Sequence, residues 1–228
     1  MKNIKLVIFD LDGTLIDAYT AIYSSYNYVM AKLGLKLKPP ALIRRLVGWG
    51  DKNLLKPYVP EGNLEAALRL YRKHHQLSLV KHSRLYPYTR MLLGKLRKQG
   101  LKLAVASNRP SKFSLILLKH LGIIDFFDYV LCADKLKRGK PDPEILNAII
   151  RRFKLNKSQV LYVGDMAIDA QAGRRAKVKT IIVTGGSSSL AEIRKERPFK
   201  VFAGLKGFLN WFEKQVDSEL FRKGTDTL

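Results

Sequence analysis

Four aspartates in this chain are spaced so that they could share one chemical task. Asp10 and Asp12 follow a short apolar run, and Asp165 and Asp169 follow another one far along the chain. Carboxylates two positions apart in an extended segment share a face, as do carboxylates four positions apart in a helical turn. Gathered in one cleft, they would repel each other unless a cation lay among them, and oxygen ligands favour a hard ion. The pattern therefore predicts a Mg²⁺ site.

A second set of polar residues is suited to binding a phosphate group. Ser107 and Asn108 close another apolar run, and Lys140 stands in the segment GKPDPE. Ser107 and Lys140 supply a hydroxyl and an ammonium group, while Gly13 and Gly164 let the backbone approach a ligand closely. Each of them alone would be an ordinary turn or loop residue. Together they predict a phosphate site beside the four carboxylates.

The elements that must position these residues alternate between strands and helices. Apolar runs typical of strands buried on both faces lie at 4–9, 101–106, 160–163 and 178–183, with weaker candidates at 129–132 and 201–203. Helical patterns between them cover 91–99, 111–121 and 142–153. In the last of these, Asp142 is expected at the N-cap and Pro143 at the first helical position. The alternation predicts an α/β fold with a Rossmann-like, doubly wound parallel sheet, which binds ligands at the carboxyl ends of its strands.

One long stretch interrupts this alternation. Between Asp17 and Arg84 there is no buried-strand run, and helical patterns cover 18–33, 40–47 and 64–80 instead. We therefore expect a small inserted α-helical cap domain at residues 18–84. The Rossmann-like core domain would then consist of residues 1–17 and 85–228.

Composition excludes several classes of protein. The single cysteine, Cys132, cannot form an internal disulfide or build a structural zinc site. No apolar run approaches the ~20 residues of a membrane-spanning helix or the ~7–15 residues of a signal-peptide core. These features predict a cytoplasmic protein without membrane partners. The 42 basic and 19 acidic residues give a net charge of +23, so the partners are expected to be anions.

Taken together, these motifs resemble those of the haloacid dehalogenase-like hydrolases, in particular the phosphoglycolate phosphatase-like group with a helical cap. Four segments carry the resemblance: FDLDGTLID (Phe9–Asp17), Leu85–Asn108 with its end LKLAVASN, KRGKPDPEIL (Lys137–Leu146) and YVGDMAIDAQAG (Tyr162–Gly173). The segment VGWG (Val47–Gly50) resembles a glycine-bearing cap segment that faces the active site in relatives.

The resemblance implies a Mg²⁺-dependent phosphatase that acts on a small phosphorylated metabolite such as phosphoglycolate. Asp10 would be the nucleophile that forms an aspartyl-phosphate, and Asp12 would be the general acid and then the general base. Mg²⁺ would be held by Asp10, by the backbone carbonyl of Asp12 and by Asp165, with Asp169 in support.

The resemblance also implies how the phosphoryl group is bound. Ser107 and Lys140 would contact it through their side chains, helped by backbone N–H groups near Gly13 and Asn108. Arg109 stands where relatives often have lysine, and we expect this change to leave the chemistry untouched.

One pair of histidines is not expected to bind a metal. His74 and His75 are adjacent on a predicted helix, so they should not share a face.

Two other functions remain open at this point. A phosphosugar mutase of the β-phosphoglucomutase type would share the four motifs but would release an isomeric sugar phosphate instead of orthophosphate. The net charge of +23 also fits a phosphatase that acts on nucleic acid, or a protein that only binds it. Its binding to nucleic acid should then weaken steeply as the salt concentration rises. No nucleic-acid-binding motif is present, so specific nucleic-acid binding is not expected. The sequence does not predict an oligomeric state.

Overall fold

The protein is described from a computed structural model that covers residues 3–224, with the side chains of residues 3–216. A six-stranded sheet forms its centre, and every neighbouring pair of strands in it is parallel. These strands are β1 (Leu6–Phe9), β4 (Lys102–Ser107), β5 (Tyr129–Cys132), β6 (Val160–Gly164), β7 (Lys179–Val183) and β8 (Lys200–Phe202). They lie in the order β5-β4-β1-β6-β7-β8.

Ten α-helices accompany these strands in the described part of the chain. They are α1 (Tyr19–Lys32), α2 (Pro40–Leu46), α3 (Asp51–Leu55), α4 (Leu64–His82), α5 (Thr89–Lys98), α6 (Ser111–His120), α7 (Glu144–Arg152), α8 (Ala167–Ala176), α9 (Leu190–Lys195) and α10 (Gly204–Gly224). Across residues 3–224, none of them combines the length and the apolar character that crossing a membrane requires.

Strand β1 shows why the sequences of the core strands are continuous apolar runs. Val7 and Phe9 belong to one hydrophobic cluster, whereas Leu6 and Ile8 belong to a second cluster, and all four side chains are fully buried. Because successive strand residues point to opposite faces, β1 must be packed on both sides of the sheet. The predicted fold class, a Rossmann-like doubly wound parallel sheet, is confirmed.

Helices α1 to α4 form one insert between β1 and β4, which we call the helical insert. Two short strands flank it, β2 (Ile16–Asp17) and β3 (Arg84–Leu85), and these pair antiparallel with each other. The chain therefore leaves and re-enters the sheet region at adjacent points. Division into a core domain (1–17 and 85–228) and a cap domain (18–84) stays a prediction.

The expected helix boundaries differ from the observed ones by one or two residues, at the ends of the helices as well as at some starts. Asp142 was expected at the N-cap of α7, but Pro143 occupies that position and the helix begins at Glu144. The Asp142 side chain still accepts a hydrogen bond from the N–H of Glu144, at 2.9 Å. The short helix α3 is absent from the sequence-based prediction, because five residues are too few to establish a helical period.

Candidate active site

The site begins where β1 and β6 end side by side. These two strands are paired in register from Leu6 opposite Val160 to Phe9 opposite Val163, and the N–H of Asp10 donates to the carbonyl of Val163 at 2.9 Å. The next residues of both strands therefore meet at one edge of the sheet. As a result, carboxylate oxygens of Asp10, Asp165 and Asp169 lie within 4.8 Å of one another, and all three residues are buried.

Asp165 has one satisfied oxygen and one unsatisfied oxygen. Its Oδ1 accepts a hydrogen bond from the Thr14 hydroxyl at 2.8 Å, whereas Oδ2 is buried and has no hydrogen-bond partner. The space beside Oδ2 depends on two glycines. A Cβ atom on Gly13 would lie 2.2 Å from Oδ2, and one on Gly186 would lie 1.7 Å from it. An unpartnered buried carboxylate oxygen in such a cradle fits a cation ligand.

Asp169 uses both of its oxygens within the protein. Its Oδ1 accepts from Lys140 Nζ at 2.8 Å and from the Tyr162 hydroxyl at 2.5 Å. Its Oδ2 accepts from the backbone N–H groups of Asp165, at 3.2 Å, and Met166, at 3.0 Å. Asp169 therefore fixes the turn between β6 and α8 and orients Lys140.

Lys140 is buried between two of the carboxylates. Its Nζ lies 2.8 Å from Oδ1 of Asp10 and 2.8 Å from Oδ1 of Asp169. Burial alone would lower the pKa of Lys140, but these two carboxylates outweigh burial and raise it. Burial raises the pKa of Asp10 to about 7, a rise that Lys140 opposes and Asp169 increases. Burial and the charges of Asp169 and Asp10 also raise the pKa of Asp165 well above its ordinary value. The cluster holds three carboxylates and one ammonium group, which contacts two of them, so it is short of positive charge.

Ser107 and Asn108 stand at the end of β4, next to β1. The Ser107 side chain is buried, and its Oγ accepts the backbone N–H of Arg109 at 3.1 Å. The Asn108 side chain connects three segments: Nδ2 donates to the carbonyls of Gly48 and Lys140, both at 2.9 Å, and Oδ1 accepts the N–H of Lys140 at 2.8 Å. Asn108 thereby holds the Lys140 loop and the helical insert together.

A cavity lies between the helical insert and the carboxyl ends of β1 and β4. Its charged and polar lining includes Asp10, Asp12, Ser107, Arg109 and Lys140, and many of its other lining residues are apolar. The apolar side chains that line it are Ile22, Leu46, Val47, Leu54, Tyr71 and Phe113.

Comparison with known proteins assigns this arrangement to a family. The model of the family described as haloacid dehalogenase-like hydrolases matches residues 7–183, which is most of the chain. The chain belongs to the haloacid dehalogenase-like hydrolases.

Individual members of this hydrolase family are similar over most of their length. A phosphoglycolate phosphatase of Rhodobacter capsulatus is 33% identical over 211 residues, covering 89% of this chain and 95% of that protein. A phosphoglycolate phosphatase of Nitrosospira multiformis is 35% identical over 181 residues, covering 76% of this chain and 80% of that protein. A crystal structure described as a predicted phosphoglycolate phosphatase from Haemophilus somnus 129pt superposes with a TM-score of 0.87 and 27% identity, covering 93% of this chain and 99% of that one. These similarities confirm the phosphoglycolate phosphatase-like group and the enzyme class, a phosphoric monoester hydrolase.

The hydrolase site brings together most of the residues that the sequence singled out. Asp10, Asp165, Asp169 and Lys140 form one contact cluster. The N–H of Gly13 donates to the carbonyl of Ile16 at 2.9 Å, and Gly13 has a φ of 83°. Its observed contribution is thus steric, because it leaves room for Asp165.

Asp12 is placed differently from the other aspartates. Both of its carboxylate oxygens accept hydrogen bonds from Arg109, from Nη2 at 2.6 Å and from Nε at 2.8 Å. Arg109, which was expected to leave the chemistry of the site untouched, therefore directly contacts one of its proposed reacting groups. A basic residue directly after Asn108, in a loop facing the end of β1, was the available signal for this contact.

His75 connects the helical insert to Arg109. Arg109 Nη1 donates to His75 Nε2 at 2.8 Å, and since a guanidinium has only donors, the ring nitrogen must be the acceptor. Burial and the charge of Arg109 hold the pKa of His75 well below its usual range. The Nδ1 atoms of His75 and His74 lie 3.0 Å and 3.1 Å from the Ser25 hydroxyl oxygen, so the two adjacent histidines share a partner.

The glycine-bearing segment of the insert reaches the cavity as its resemblance implied. Gly48 and Gly50 line the cavity, and both have positive φ angles. Trp49 between them is 43% exposed and is absent from the cavity wall. A Cβ on Gly48 would lie 2.3 Å from the sulfur of Met166, so this glycine permits close packing of the insert on the core.

Proposed function

We propose that this chain is a cytoplasmic, Mg²⁺-dependent phosphatase that hydrolyses a small phosphomonoester of the phosphoglycolate type through an aspartyl-phosphate on Asp10. The observation that carries this proposal is the unpartnered Oδ2 of Asp165, buried within 4.8 Å of carboxylate oxygens of Asp10 and Asp169. Burying an anionic oxygen without a partner costs free energy unless a cation binds to it. The nearby lysine and serine suit a phosphoryl group.

The metal would be held by the carboxylates of Asp10 and Asp165 and by the backbone carbonyl of Asp12. Asp169 would support the site indirectly, since its oxygens are occupied by Lys140, Tyr162 and two backbone N–H groups. A bound Mg²⁺ would neutralise charge on the oxygens of the phosphoryl group.

Asp10 would act as the nucleophile. One of its carboxylate oxygens forms a bond to phosphorus while the bond from phosphorus to the ester oxygen breaks, which gives an aspartyl-phosphate and the alcohol. Asp12 gives a proton to the departing alcohol oxygen. Asp12 then takes a proton from the water that attacks phosphorus, which releases orthophosphate and restores the carboxylate of Asp10.

Lys140 and Ser107 would hold the phosphoryl group during both steps. Lys140 Nζ is already 2.8 Å from Oδ1 of Asp10, which places positive charge beside the attacking oxygen. Backbone N–H groups near Gly13 and Asn108 would bind the remaining phosphoryl oxygens. Phosphoryl transfer depends mainly on such positioning and charge neutralisation.

The position of the cavity beneath the helical insert supports a small substrate. The helical insert covers the end of the sheet, and Asn108, at the end of β4, donates directly to the carbonyl of Gly48 in the insert. A polynucleotide would have to displace these contacts, whereas a small ester fits beneath the insert. The excess of positive charge would then attract small phosphorylated anions in general.

Asp10→Asn is the direct test of the proposal. We expect kcat for phosphoglycolate to fall by at least about 10³-fold, because the amide is a poor nucleophile. The exposed Asp125→Asn is the matched control and should keep full activity. EDTA should abolish turnover and Mg²⁺ should restore it. Activity retained by Asp10→Asn, or turnover without any divalent ion, would contradict the proposal.

Product analysis separates the phosphatase from the mutase alternative. Release of orthophosphate from phosphoglycolate is expected here. Formation of an isomeric sugar phosphate from a sugar phosphate, without orthophosphate, would instead identify a mutase.

A further inference from the structure

The carboxylate of Asp12 is fully occupied by one side chain. Arg109 contacts Oδ1 through Nη2 at 2.6 Å and Oδ2 through Nε at 2.8 Å, a two-point fork. The pair is well shielded from solvent, with the Arg109 side chain 6% exposed and the Asp12 side chain 14% exposed. Neither oxygen of Asp12 is free to carry a proton while this fork is closed.

This arrangement conflicts with the role proposed for Asp12. A general acid must hold a proton on one carboxylate oxygen and aim it at the departing oxygen. In this structure both oxygens of Asp12 are instead used by a permanent cation, Arg109. Catalysis therefore requires Arg109 to leave at least one oxygen of Asp12 after the substrate binds.

Arg109 is well placed to take another anion. It lines the cavity together with Asp12, and the cations among the described cavity residues are Arg109 and Lys140. Lys140 is already engaged by Asp10 and Asp169 on the phosphoryl side of the site. Arg109 is thus the cation that a second charged group of a substrate would meet.

The helical insert holds Arg109 in this position. Its third nitrogen, Nη1, donates to Nε2 of the neutral His75, whose ring stacks on Tyr71 with centroids 4.7 Å apart and meets Phe113 edge-on. His75 has no charge with which to compete for an anion. The other two nitrogens of Arg109, Nε and Nη2, can then exchange the Asp12 carboxylate for another oxyanion while Nη1 keeps its contact with the insert.

We propose that Arg109 is a specificity-determining residue that exchanges Asp12 for a second anionic group of the substrate and so frees Asp12 for proton transfer. This inference rests on the phosphatase proposed above and names its substrate class: phosphate esters or anhydrides that carry another oxyanion, a carboxylate or a phosphate, close to the leaving oxygen. A guanidinium fork binds either group in the same two-point manner. A phosphate ester without a second anionic group leaves the Arg109 fork on Asp12 and reacts slowly.

The test compares three substrates in the full-length protein with Mg²⁺. Phosphoglycolate carries a carboxylate, pyrophosphate carries a second phosphate, and ethyl phosphate has no second anionic group. We expect kcat/KM of the wild type to be at least about 30-fold higher for phosphoglycolate or pyrophosphate than for ethyl phosphate. The substrate with the higher kcat/KM, phosphoglycolate or pyrophosphate, shows whether Arg109 prefers a carboxylate or a phosphate as the second anionic group.

Arg109→Met and Arg109→Lys then test the residue itself. Arg109→Met should lower the preference for phosphoglycolate or pyrophosphate over ethyl phosphate to less than about 3-fold. Asp12 is then free in every complex, and the second anionic group of the substrate has no partner. Arg109→Lys retains the charge without the fork and should show an intermediate preference. Arg45→Met is the control: Arg45 joins the insert to Ser187 and Glu192 outside the cavity, so the preference should stay as in the wild type.

The ratio between substrates separates this inference from a purely structural role of Arg109. If Arg109 only stabilises the fold, Arg109→Met lowers kcat/KM for all three substrates equally, and an unchanged ratio would overturn the inference. Binding to the Asp10→Asn variant, measured by calorimetry with phosphoglycolate and ethyl phosphate, gives the same comparison without turnover. Loss of hydrolysis of every ester by the wild type would instead contradict the proposed function, and the binding ratio would still test Arg109.

Discussion

The hydroxyl of Thr14 donates to Oδ1 of Asp165 at 2.8 Å, although 151 positions of sequence separate the two residues. This bond joins the turn after β1 to the turn after β6. It also fixes the rotation of the Asp165 carboxylate, so that Oδ2 faces Gly13 and stays without a protein partner. The cation site that we propose therefore depends on a neutral hydroxyl outside the set of charged residues.

Replacing Thr14 by valine should weaken metal binding. Valine has a similar shape but cannot donate, so the Asp165 carboxylate loses its orientation. Groups that orient a metal ligand typically affect affinity by about 10–100-fold, and we expect a loss of Mg²⁺ affinity in that range. Calorimetric titration with Mg²⁺ measures it, and Thr20→Val, at an exposed position, is the control. Equal Mg²⁺ affinities in Thr14→Val and wild type would contradict this prediction.

The metal-free protein should lose stability as the pH rises from 5 to 8. Burial raises the pKa of Asp10 to about 7 in the folded state, well above its ordinary value, so the folded state holds this proton more tightly. The stabilisation is complete at low pH and is lost as the pH rises through about 7. We expect Asp10 to account for about 2–4 kcal/mol of the change in unfolding free energy.

Urea unfolding of the metal-free wild type and Asp10→Asn at several pH values checks this contribution. The asparagine does not titrate, so the variant should show a smaller decrease in stability. His75, whose pKa is held low by burial, contributes in the opposite direction but does so in both proteins. The same pH dependence in both proteins would show that Asp10 is not the titrating group.

Removing the charge of Lys140 should destabilise the metal-free protein. Lys140→Met leaves the carboxylates of Asp10 and Asp169 buried without their common cation, which typically costs about 3–5 kcal/mol. The loss should be at least about 1 kcal/mol smaller in an Asp10→Asn background, because only one of the two carboxylates is then left unpaired. Chemical unfolding of the single and double variants measures this coupling.

The exposed Lys135→Met is the control for Lys140 and should change stability by no more than about 0.5 kcal/mol. Additive effects of Lys140→Met and Asp10→Asn would refute a direct ion pair between the two residues.

Two glycines with similar backbone angles should respond differently to alanine. Gly13 has a φ of 83° and Gly100 a φ of 73°, so either substitution costs about 1–2 kcal/mol of backbone strain. Nothing lies within 4 Å of a Cβ on Gly100, whereas a Cβ on Gly13 would lie 2.2 Å from Oδ2 of Asp165.

We expect Gly100→Ala to keep kcat/KM within about 2-fold of the wild type, and Gly13→Ala to lower it by about 100-fold through displacement of Asp165. Steady-state kinetics together with thermal unfolding separate the two effects. Similar activities for two equally destabilised variants would argue against a special role of Gly13.

The convergence of the carboxylates could be predicted because it depends on a local pattern repeated along the chain. Asp10 and Asp165 each come directly after an apolar strand, and parallel strands end at the same edge of a sheet. The sequence could also predict the helical insert, since its long amphipathic stretches contain no strand-like run. The close approach of Asp10 and Asp165 also requires β1 and β6 to be neighbouring strands, which the linear pattern does not contain.

Other contacts of the site depend on geometry that a linear pattern does not contain. The pairing of Asp12 with Arg109 spans 97 positions and requires the loops after β1 and β4 to face each other. A basic residue in a loop usually points to solvent, so the type and position of Arg109 were only a weak signal for a buried fork. His75 was equally hard to interpret, because its partner Arg109 lies on the core and not on its own helix.

The paired strands β2 and β3 have a consequence for how this protein can vary. Ile16 pairs with Leu85 and Asp17 with Arg84, so the helical insert is attached to the rest of the protein through two adjacent short strands. Changes of length inside the insert therefore need not move the two points at which the chain leaves and re-enters the sheet region. An evolving lineage can exchange the walls of its substrate cavity in this way while it keeps the same reacting groups.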